Sequence, residues 1–388
     1  MTHDAVPGMV PDKQSLSRPW QRLGRSDVMV PALGIGTVPL GDMVGPISDD
    51  QARKVVTAAH SLGARLYDTA PQYGLGLAER RLGSVLPALP RDEFVVISKV
   101  GRLLRRTSSL SKLRTTIADA RSRGPAGVAR LGRNAVRGAK RLARRPTTAR
   151  LGYPLERGDA ALDAVFDFSY DGARHSIAES LARLGLERLD VVLLHDPDEH
   201  QEEALAGAHR ALSELKGSGE LGAVGIGTNR VDPLLRMLGD AEFDCVLLAG
   251  RYPLLDHASV GPLLSECEQR RVSLIIGGVF NSGMLADPRP GQLYDYQQQR
   301  AGSAWLERAL RLKAVCERHG VPLAAAAIQF PLGHPSVATV LCGVRSADEL
   351  AQNVELFSWP IPRELWADLR AEGLVDEGVP LPGDLRSR

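Results

Sequence analysis

Four ionisable side chains lie where they could act together on one substrate oxygen. Asp68, Lys99 and His195 each stand near the end of a short apolar run, and Tyr73 follows Asp68 by five residues. A phenol is a weak acid, with an ordinary pKa of about 10, and a nearby ammonium stabilises its phenolate. We therefore expect Lys99 to lower the pKa of Tyr73, and Asp68 to hold Lys99. With His195 as a hydrogen-bond donor, the set predicts proton transfer at a carbonyl or hydroxyl oxygen, as hydride transfer requires.

These residues can meet only if the runs that carry them are neighbouring strands. Eight short runs are apolar almost throughout, which is typical of strands buried on both faces of a parallel sheet. They lie at 30–36, 65–69, 94–99, 189–195, 221–227, 243–249, 272–278 and 338–344. In a parallel barrel the catalytic groups lie at the carboxyl ends of the strands, where the four side chains would face one another.

Segments with helical periodicity separate these runs. The first begins with Ser48 and Gln51 as a capping-box pair, and Gly63 follows its last apolar position. The others cover roughly 76–87, 173–184, 200–216, 232–240, 259–270, 303–319 and 346–355. After a hairpin expected around Arg25–Ser26, eight strand–helix units predict an α/β fold, a (β/α)8 TIM barrel, over residues 21–388. A doubly wound open sheet is the alternative.

The composition limits the kind of protein. The chain has 388 residues, 44% of them apolar, and a formal charge of +2, which argues against a surface built entirely for nucleic acid or an anionic membrane. Residues 1–20 are polar and interrupted by proline, so we expect a flexible N-terminal segment rather than a signal peptide. No apolar run approaches the roughly 18 residues of a membrane span, and we expect a cytoplasmic protein.

The four cysteines, Cys245, Cys267, Cys316 and Cys342, are widely spaced and form no CxxC pair. Disulfide frameworks and zinc sites usually have closer, patterned spacings. The spacing therefore predicts buried thiols in a reducing compartment, and no metal site is expected.

A long segment interrupts the alternation of strands and helices after the third strand. Residues 101–150 contain 15 Lys or Arg and one acid, a local charge of +14, while the rest of the chain has −12. We expect the insertion to span 102–160 and to contain a basic helix, because apolar and arginine side chains recur on opposite faces over 126–145. It could pack on its own barrel, or contact a membrane or an acidic partner through 105–150. Nucleic acid is not expected, because no aromatic residues alternate with the arginines.

The sequence resembles the aldo-keto reductase family at these same positions. The resemblance is carried by LGIGT at 33–37, DTAPQYG at 68–74, the pair Glu79–Arg80, ISK at 97–99, LLHD at 193–196 and GVRSADELAQN at 343–353. The family's catalytic tetrad falls on Asp68, Tyr73, Lys99 and His195. Motifs at 250–256, 280–285 and 330–337 look like the branch of the family that contains aldose and pyridoxal dehydrogenases.

The resemblance implies an NAD(P)-dependent oxidoreductase that acts on a small carbonyl compound, an alcohol or a sugar lactol. Hydride would pass directly between the substrate carbon and the nicotinamide. Tyr73 would be the general acid in reduction and the general base in oxidation. The alternative is a cofactor-binding regulatory protein that docks to a membrane or partner through the basic insertion.

The resemblance also assigns cofactor contacts, and no GxGxxG motif follows a predicted strand, as it would in a Rossmann fold. The implied contacts are Gly36 and Thr37 at the nicotinamide, Phe280, Asn281, Ser282 and Gly283 at the pyrophosphate, and Gly343, Arg345, Ser346 and Asn353 at the adenosine half. Glu349 stands where members that prefer NADP carry a basic residue. Its carboxylate would repel a 2′-phosphate, which slightly favours NAD, whereas Arg345 favours NADP.

Overall fold

The computed structural model describes residues 20–108, 160–292, 294–296, 299–300 and 303–383. Fourteen strands lie within these ranges: β1 (Gln21–Arg22), β2 (Met29–Val30), β3 (Leu33–Gly36), β4 (Leu66–Asp68), β5 (Val95–Val100), β6 (Arg102–Ser108), β7 (Ala160–Phe166), β8 (Val191–His195), β9 (Ala223–Thr228), β10 (Cys245–Ala249), β11 (Ser273–Gly277), β12 (Asp295–Tyr296), β13 (Gln299–Arg300) and β14 (Val337–Gly343). Eight of them close into a parallel barrel in the order β10-β11-β14-β3-β4-β5-β8-β9. Each overlaps one predicted run, so the (β/α)8 barrel is confirmed and the open doubly wound sheet is wrong.

The barrel register brings the ends of three neighbouring strands to one rim. Asp68, the last residue of β4, pairs with Ile97 of β5. Lys99 of β5 pairs with Leu193 of β8, and His195 is the last residue of β8. Because these strands are parallel and adjacent, their carboxyl ends meet at the same mouth of the barrel.

Eleven α-helices lie within the described ranges: α1 (Asp49–Ser61), α2 (Leu77–Gly83), α3 (Tyr170–Leu184), α4 (Gln201–Glu203), α5 (Arg210–Gly217), α6 (Val231–Asp240), α7 (Gly261–Arg270), α8 (Ser303–Arg318), α9 (Leu323–Gln329), α10 (Ala347–Ser358) and α11 (Arg363–Ala371). A π-helical stretch, Ala204–His209, joins α4 to α5. The predicted cap of α1 is present, because Ser48 Oγ accepts the backbone N–H of Gln51. Helices α9 and α11 have no counterpart among the predicted segments.

An apolar cluster fills the interior of the barrel, separate from the larger one between strands and helices. The antiparallel hairpin of β1 and β2 contributes Leu23 and Val30 to the inner cluster, together with Val95 at the start of β5. The backbone N–H of Gly24 donates to Ser273 Oγ, at the start of β11. The expected hairpin therefore packs against the ends of the strands opposite the rim that carries Asp68, Lys99 and His195.

The described ends of the predicted insertion are extended. Strands β6 and β7 pair as a two-stranded sheet. The predicted basic helix at 126–145 lies outside the described residues, as do residues 1–19, so both expectations stay predictions. The four cysteines are buried free thiols. Within the described ranges, no helix is both long and apolar enough to cross a membrane.

Candidate active site

A buried ion pair forms the base of the site. Lys99 Nζ lies 2.6 Å from Asp68 Oδ1 and also donates to the carbonyl oxygen of Thr69 at 2.9 Å. Both charged side chains are at most 5% exposed. Burial by itself lowers the pKa of Lys99, but the charges of Asp68 and Tyr73 outweigh it and raise that pKa above its ordinary value. Lys99 is therefore an ammonium ion at neutral pH.

Tyr73 lies close to both this ion pair and His195. Lys99 Nζ is 4.8 Å from the centroid of the Tyr73 ring. The rings of Tyr73 and His195 are nearly perpendicular, with centroids 6.0 Å apart. The structure thus brings together the four side chains that the sequence placed at the mouths of three strands.

The acidity of Tyr73 differs from the sequence expectation. Burial raises the pKa of this phenol, the positive charge of Lys99 lowers it, and the result is a pKa of about 12. Asp68 and Asp196 add negative charge nearby and raise the pKa further. The expected lowering by Lys99 is present, but it is smaller than the effect of burial.

His195 is held as a neutral imidazole. Burial, followed by the charges of Lys99 and Arg102, lowers its pKa well below the ordinary value. Its Nδ1 is buried and has no hydrogen-bond partner among the described residues, and its Nε2 lies 3.8 Å from Asp196 Oδ2. A neutral imidazole retains one N–H group, which can donate to a substrate oxygen.

The loop that carries Tyr73 packs directly on the loop that follows β3. A Cβ atom added to Gly41 would lie 2.6 Å from the carbonyl carbon of Tyr73, and one on Gly74 would lie 2.4 Å from the carbonyl oxygen of Gly41. Gly74 also has a φ of +63°, a conformation that side chains disfavour. Both glycines are therefore needed for the close approach that positions Tyr73.

Arg81 of α2 fastens the loop after β3. Its guanidinium donates to Asp42 at 2.8 Å and Asp49 at 2.9 Å, and to the carbonyl oxygens of Leu40 and Ile47. Only 6% of the side chain is exposed. One buried cation thus binds three acceptors of the loop and one at the start of α1, next to the helix that follows Tyr73.

Glu79 connects the strand of Lys99 to two helices. This fully buried carboxylate accepts from Ser98 Oγ at 3.0 Å and from Arg183 Nε of α3 at 2.6 Å. Ser98 precedes Lys99 in β5, and Glu79 belongs to α2. Glu79, from the Glu79–Arg80 motif, therefore helps to position the strand that carries Lys99.

Sequence reasoning assigned no role to four charged residues around the site: Arg81, Arg102, Arg183 and Asp196. For two of them, closeness in sequence to a predicted site residue could have indicated a role. Asp196 directly follows His195, and Arg102 follows Lys99 by three residues. No such signal marks Arg81 or Arg183, because each acts through partners that are distant in sequence.

The proposed cofactor residues lie on three adjacent barrel strands. Gly36 ends β3, Gly343 ends β14, and residues 280–283 follow β11 by three positions. The strand order β11-β14-β3 places these three groups side by side. Asn353 lies further along α10 and is largely buried.

Several of these residues have buried polar atoms with no partner within the described ranges. They are Thr37 Oγ1, both amide atoms of Asn281, and Arg345 Nε. Buried polar groups in proteins are nearly always hydrogen-bonded, so these atoms indicate a ligand. A Cβ atom on Gly283 would meet nothing within 4 Å, which leaves room there. The hydroxyl, amide and phosphate groups of a nicotinamide dinucleotide fit this donor and acceptor set.

Ser346 and Glu349 also cap α10. Ser346 Oγ accepts the backbone N–H of Glu349 at 3.1 Å, and Glu349 Oε2 accepts that of Arg345 at 2.7 Å. This reciprocal arrangement is a variant of the capping box. The carboxylate of Glu349 is therefore fixed next to Arg345.

A family model for aldo/keto reductases matches residues 32–372. The chain belongs to the aldo/keto reductase family. It is therefore an oxidoreductase of a family that uses NAD(P)(H). The chain is 38% identical over 347 residues to the D-threo-aldose 1-dehydrogenase of a Pseudomonas species, covering 89% of this chain and 95% of that protein. It is also 38% identical over 367 residues to the pyridoxal 4-dehydrogenase of Microbacterium luteolum, covering 91% and 97%.

Solved structures support the fold of this aldo/keto reductase. The holo form of an aldo-keto reductase from Bacillus halodurans superimposes with a TM-score of 0.65 at 21% identity, covering 93% of this chain and 97% of that one. At this identity the likeness concerns the fold alone.

Proposed function

We propose that this aldo/keto reductase transfers a hydride between NAD(P) and the anomeric carbon of a sugar lactol or a related hydroxyaldehyde, with Tyr73 as the general acid and base. The observation that carries the proposal is the position of Tyr73, which lies against the Lys99–Asp68 ion pair and across from His195 at the barrel mouth. The 38% identity to an aldose 1-dehydrogenase supports the substrate class.

In oxidation, Tyr73 accepts the proton of the substrate hydroxyl while the hydride leaves the same carbon. Lys99 stabilises the phenolate that does this, and Asp68 keeps Lys99 in place. The neutral His195 donates a hydrogen bond to the reacting oxygen and orients it. When bound, the nicotinamide supplies the hydride acceptor for oxidation and the hydride donor for reduction. In reduction Tyr73 returns its proton to the oxygen.

Residues after β3, β11 and β14 would hold the cofactor. Thr37 and Asn281 offer unpaired polar atoms, and Arg345 offers a positive charge for a phosphate. Glu349 lies beside Arg345, where its carboxylate would repel a 2′-phosphate and could accept a ribose hydroxyl. On this basis NAD is the preferred cofactor.

The variant Tyr73→Phe tests the assignment. Loss of the transferable proton should lower kcat by at least about 100-fold, while cofactor affinity, measured by fluorescence titration, stays close to wild type. The matched control is Tyr67→Phe, a buried tyrosine on β4 that lies outside the site. Wild-type turnover by Tyr73→Phe would refute the proposed mechanism.

A substrate screen tests the proposed class. Aldoses, pyridoxal and simple aldehydes are offered with NAD and with NADP, in both directions. We expect the highest kcat/KM for an aldose with NAD. A protein that turns over none of them would contradict the proposed function.

A further inference from the structure

A second ion pair lies next to His195 and is not part of the tetrad. Arg102 Nη2 is 2.7 Å from Asp196 Oδ2, and this carboxylate oxygen is 3.8 Å from His195 Nε2. Arg102 follows β5 and Asp196 follows β8, so both lie at the same rim as Lys99 and His195. The pair thus borders the place where the reacting oxygen would accept a hydrogen bond from His195.

The pair retains unused hydrogen-bonding capacity. Asp196 Oδ1 makes no hydrogen bond within the part of the chain that the structure describes, and Arg102 Nε is buried without a partner there. The side chain of Asp196 is 33% exposed and that of Arg102 is 21% exposed. Both side chains of the pair are therefore partly accessible to a ligand, and Asp196 Oδ1 is an unused acceptor.

Asp196 lies within electrostatic range of the reacting groups. Its negative charge raises the pKa of Tyr73. Burial raises the pKa of Asp196 itself, and the positive charges of Arg102 and Lys99 offset only part of that effect. A carboxylate in this position would repel an anionic substrate and would favour a neutral one that donates hydrogen bonds.

The backbone and the neighbouring rings hold the pair in place. Asp196 has a φ of +48°, and its N–H donates to the carbonyl oxygen of Gly227 at 2.8 Å. The guanidinium carbon of Arg102 lies 4.4 Å from the ring centroid of Phe166. Phe166 in turn packs on the His200 ring, with centroids 4.7 Å apart. A left-handed conformation at a residue other than glycine persists where the surroundings hold it, and these contacts do so for Asp196.

We propose that Arg102 and Asp196 form a hydroxyl-binding subsite that recognises a hydroxyl group on the carbon next to the reacting carbon. A hydroxyl both donates and accepts, which matches a subsite that offers one carboxylate oxygen and one guanidinium. The net charge of the pair is zero, so it selects for this hydroxyl rather than for a charged group. Phe166 is a positioning residue that acts through Arg102.

The subsite deepens the proposed function and rests on it. A sugar lactol carries a hydroxyl on the carbon beside its anomeric carbon, whereas a 2-deoxy sugar or a simple aldehyde does not. Hydrogen bonds to charged groups typically change binding by about 10- to 100-fold, so an aldose should exceed its 2-deoxy analogue in kcat/KM by roughly that factor.

The test compares one aldose with its 2-deoxy analogue in the wild type and in Asp196→Gly. Glycine accepts the left-handed backbone of Asp196 without strain, and the variant removes the side chain that carries the carboxylate. We expect the ratio of the two kcat/KM values to fall from about 10–100 toward one. Arg102→Met is a second variant that should reduce the same ratio, in case Asp196→Gly fails to fold.

The control is Glu199→Gln, which alters an exposed carboxylate paired with Arg230 in the loop that follows β8. Its ratio should match that of the wild type. Equal kcat/KM values for the two sugars in the wild type, or an unchanged ratio in folded Asp196→Gly and Arg102→Met, would overturn the subsite while the proposed function stands. Absence of turnover with any sugar or aldehyde would overturn the proposed function and the subsite together.

Discussion

Burial acts in opposite directions on Tyr73 and Lys99, which share one site. A low-dielectric environment disfavours a phenolate and also disfavours an ammonium, so it raises the pKa of the first and lowers that of the second. The ion pair with Asp68 reverses the effect for Lys99. For Tyr73, the positive charge of Lys99 offsets only part of the effect of burial. At neutral pH the pair therefore consists of a protonated phenol beside a charged ammonium, the arrangement that a proton donor for reduction needs.

The pKa of Tyr73 predicts opposite pH responses for the two directions of the reaction. In the proposed mechanism oxidation needs the deprotonated phenol, and with a pKa of about 12 the fraction of that form increases as the pH rises. Reduction needs the protonated phenol, which persists across the neutral range. The expected result is a kcat/KM for oxidation that climbs from pH 6 to pH 10, with no such climb for reduction.

Steady-state rates in both directions check this expectation. The control is again Tyr67→Phe, which should keep the wild-type profile because Tyr67 contacts neither Lys99 nor His195 in the described structure. An oxidation rate that is flat over this interval would show that Tyr73 is not the titrating base.

At the scale of elements, α2 does more than connect two strands. It carries Glu79, which is tied to β5 and α3, and Arg81, which is tied to the loop after β3. The loop that holds Tyr73 runs between β4 and this helix. The position of Tyr73 therefore depends on how firmly α2 is anchored on both sides.

Replacing Arg81 with methionine should destabilise this arrangement. The change leaves two carboxylates and two carbonyl oxygens without their buried donor, and losses of this kind cost about 3 kcal/mol. The free energy of unfolding from a urea titration measures the effect. Lys54→Met is the control, since Lys54 forms an exposed ion pair with Asp50 and its loss should change stability little. Equal stabilities for the two variants would contradict the role of Arg81.

The helices show which elements a sequence pattern reveals. The first, α1, was predicted from Ser48, Gln51 and an apolar stripe, because only one of its faces is buried. Helix α9 was not predicted, because all seven of its residues are buried and its sequence, LAAAAIQ, has no polar face to create a periodicity.

At the scale of the whole molecule, the near-neutral charge is an average of unlike parts. Residues 109–159 contain 13 basic and 3 acidic side chains, so their removal takes the formal charge from +2 to −8. Each of the eight barrel strands pairs with other barrel strands on both sides. The hydrogen-bonded ladder of the barrel thus needs no residue from this segment.

A deletion of 109–159, closed by a short glycine-rich linker, should therefore leave the barrel folded. The expected result is a melting temperature within a few degrees of that of the full chain, measured by circular dichroism.

Sedimentation with anionic vesicles at low salt then distinguishes the two interpretations of the basic segment. If the segment docks to membranes, the full chain binds the vesicles and the deletion variant does not. If the segment packs on its own barrel, neither protein binds them. A deletion variant that does not fold would refute the independence of the barrel.

The eight strands and the four ionisable groups near their ends can be recognised from the amino-acid sequence alone. These features are local, since an apolar run and the residue that ends it lie within a few positions of each other. The charged residues that surround these groups pair with one another only in the tertiary structure. Arg102 and Asp196 are 94 residues apart, and Glu79 and Arg183 are 104 apart. The tertiary structure also decided the acidity of Tyr73, because burial depends on atoms from segments that are distant in the chain and no local pattern records them.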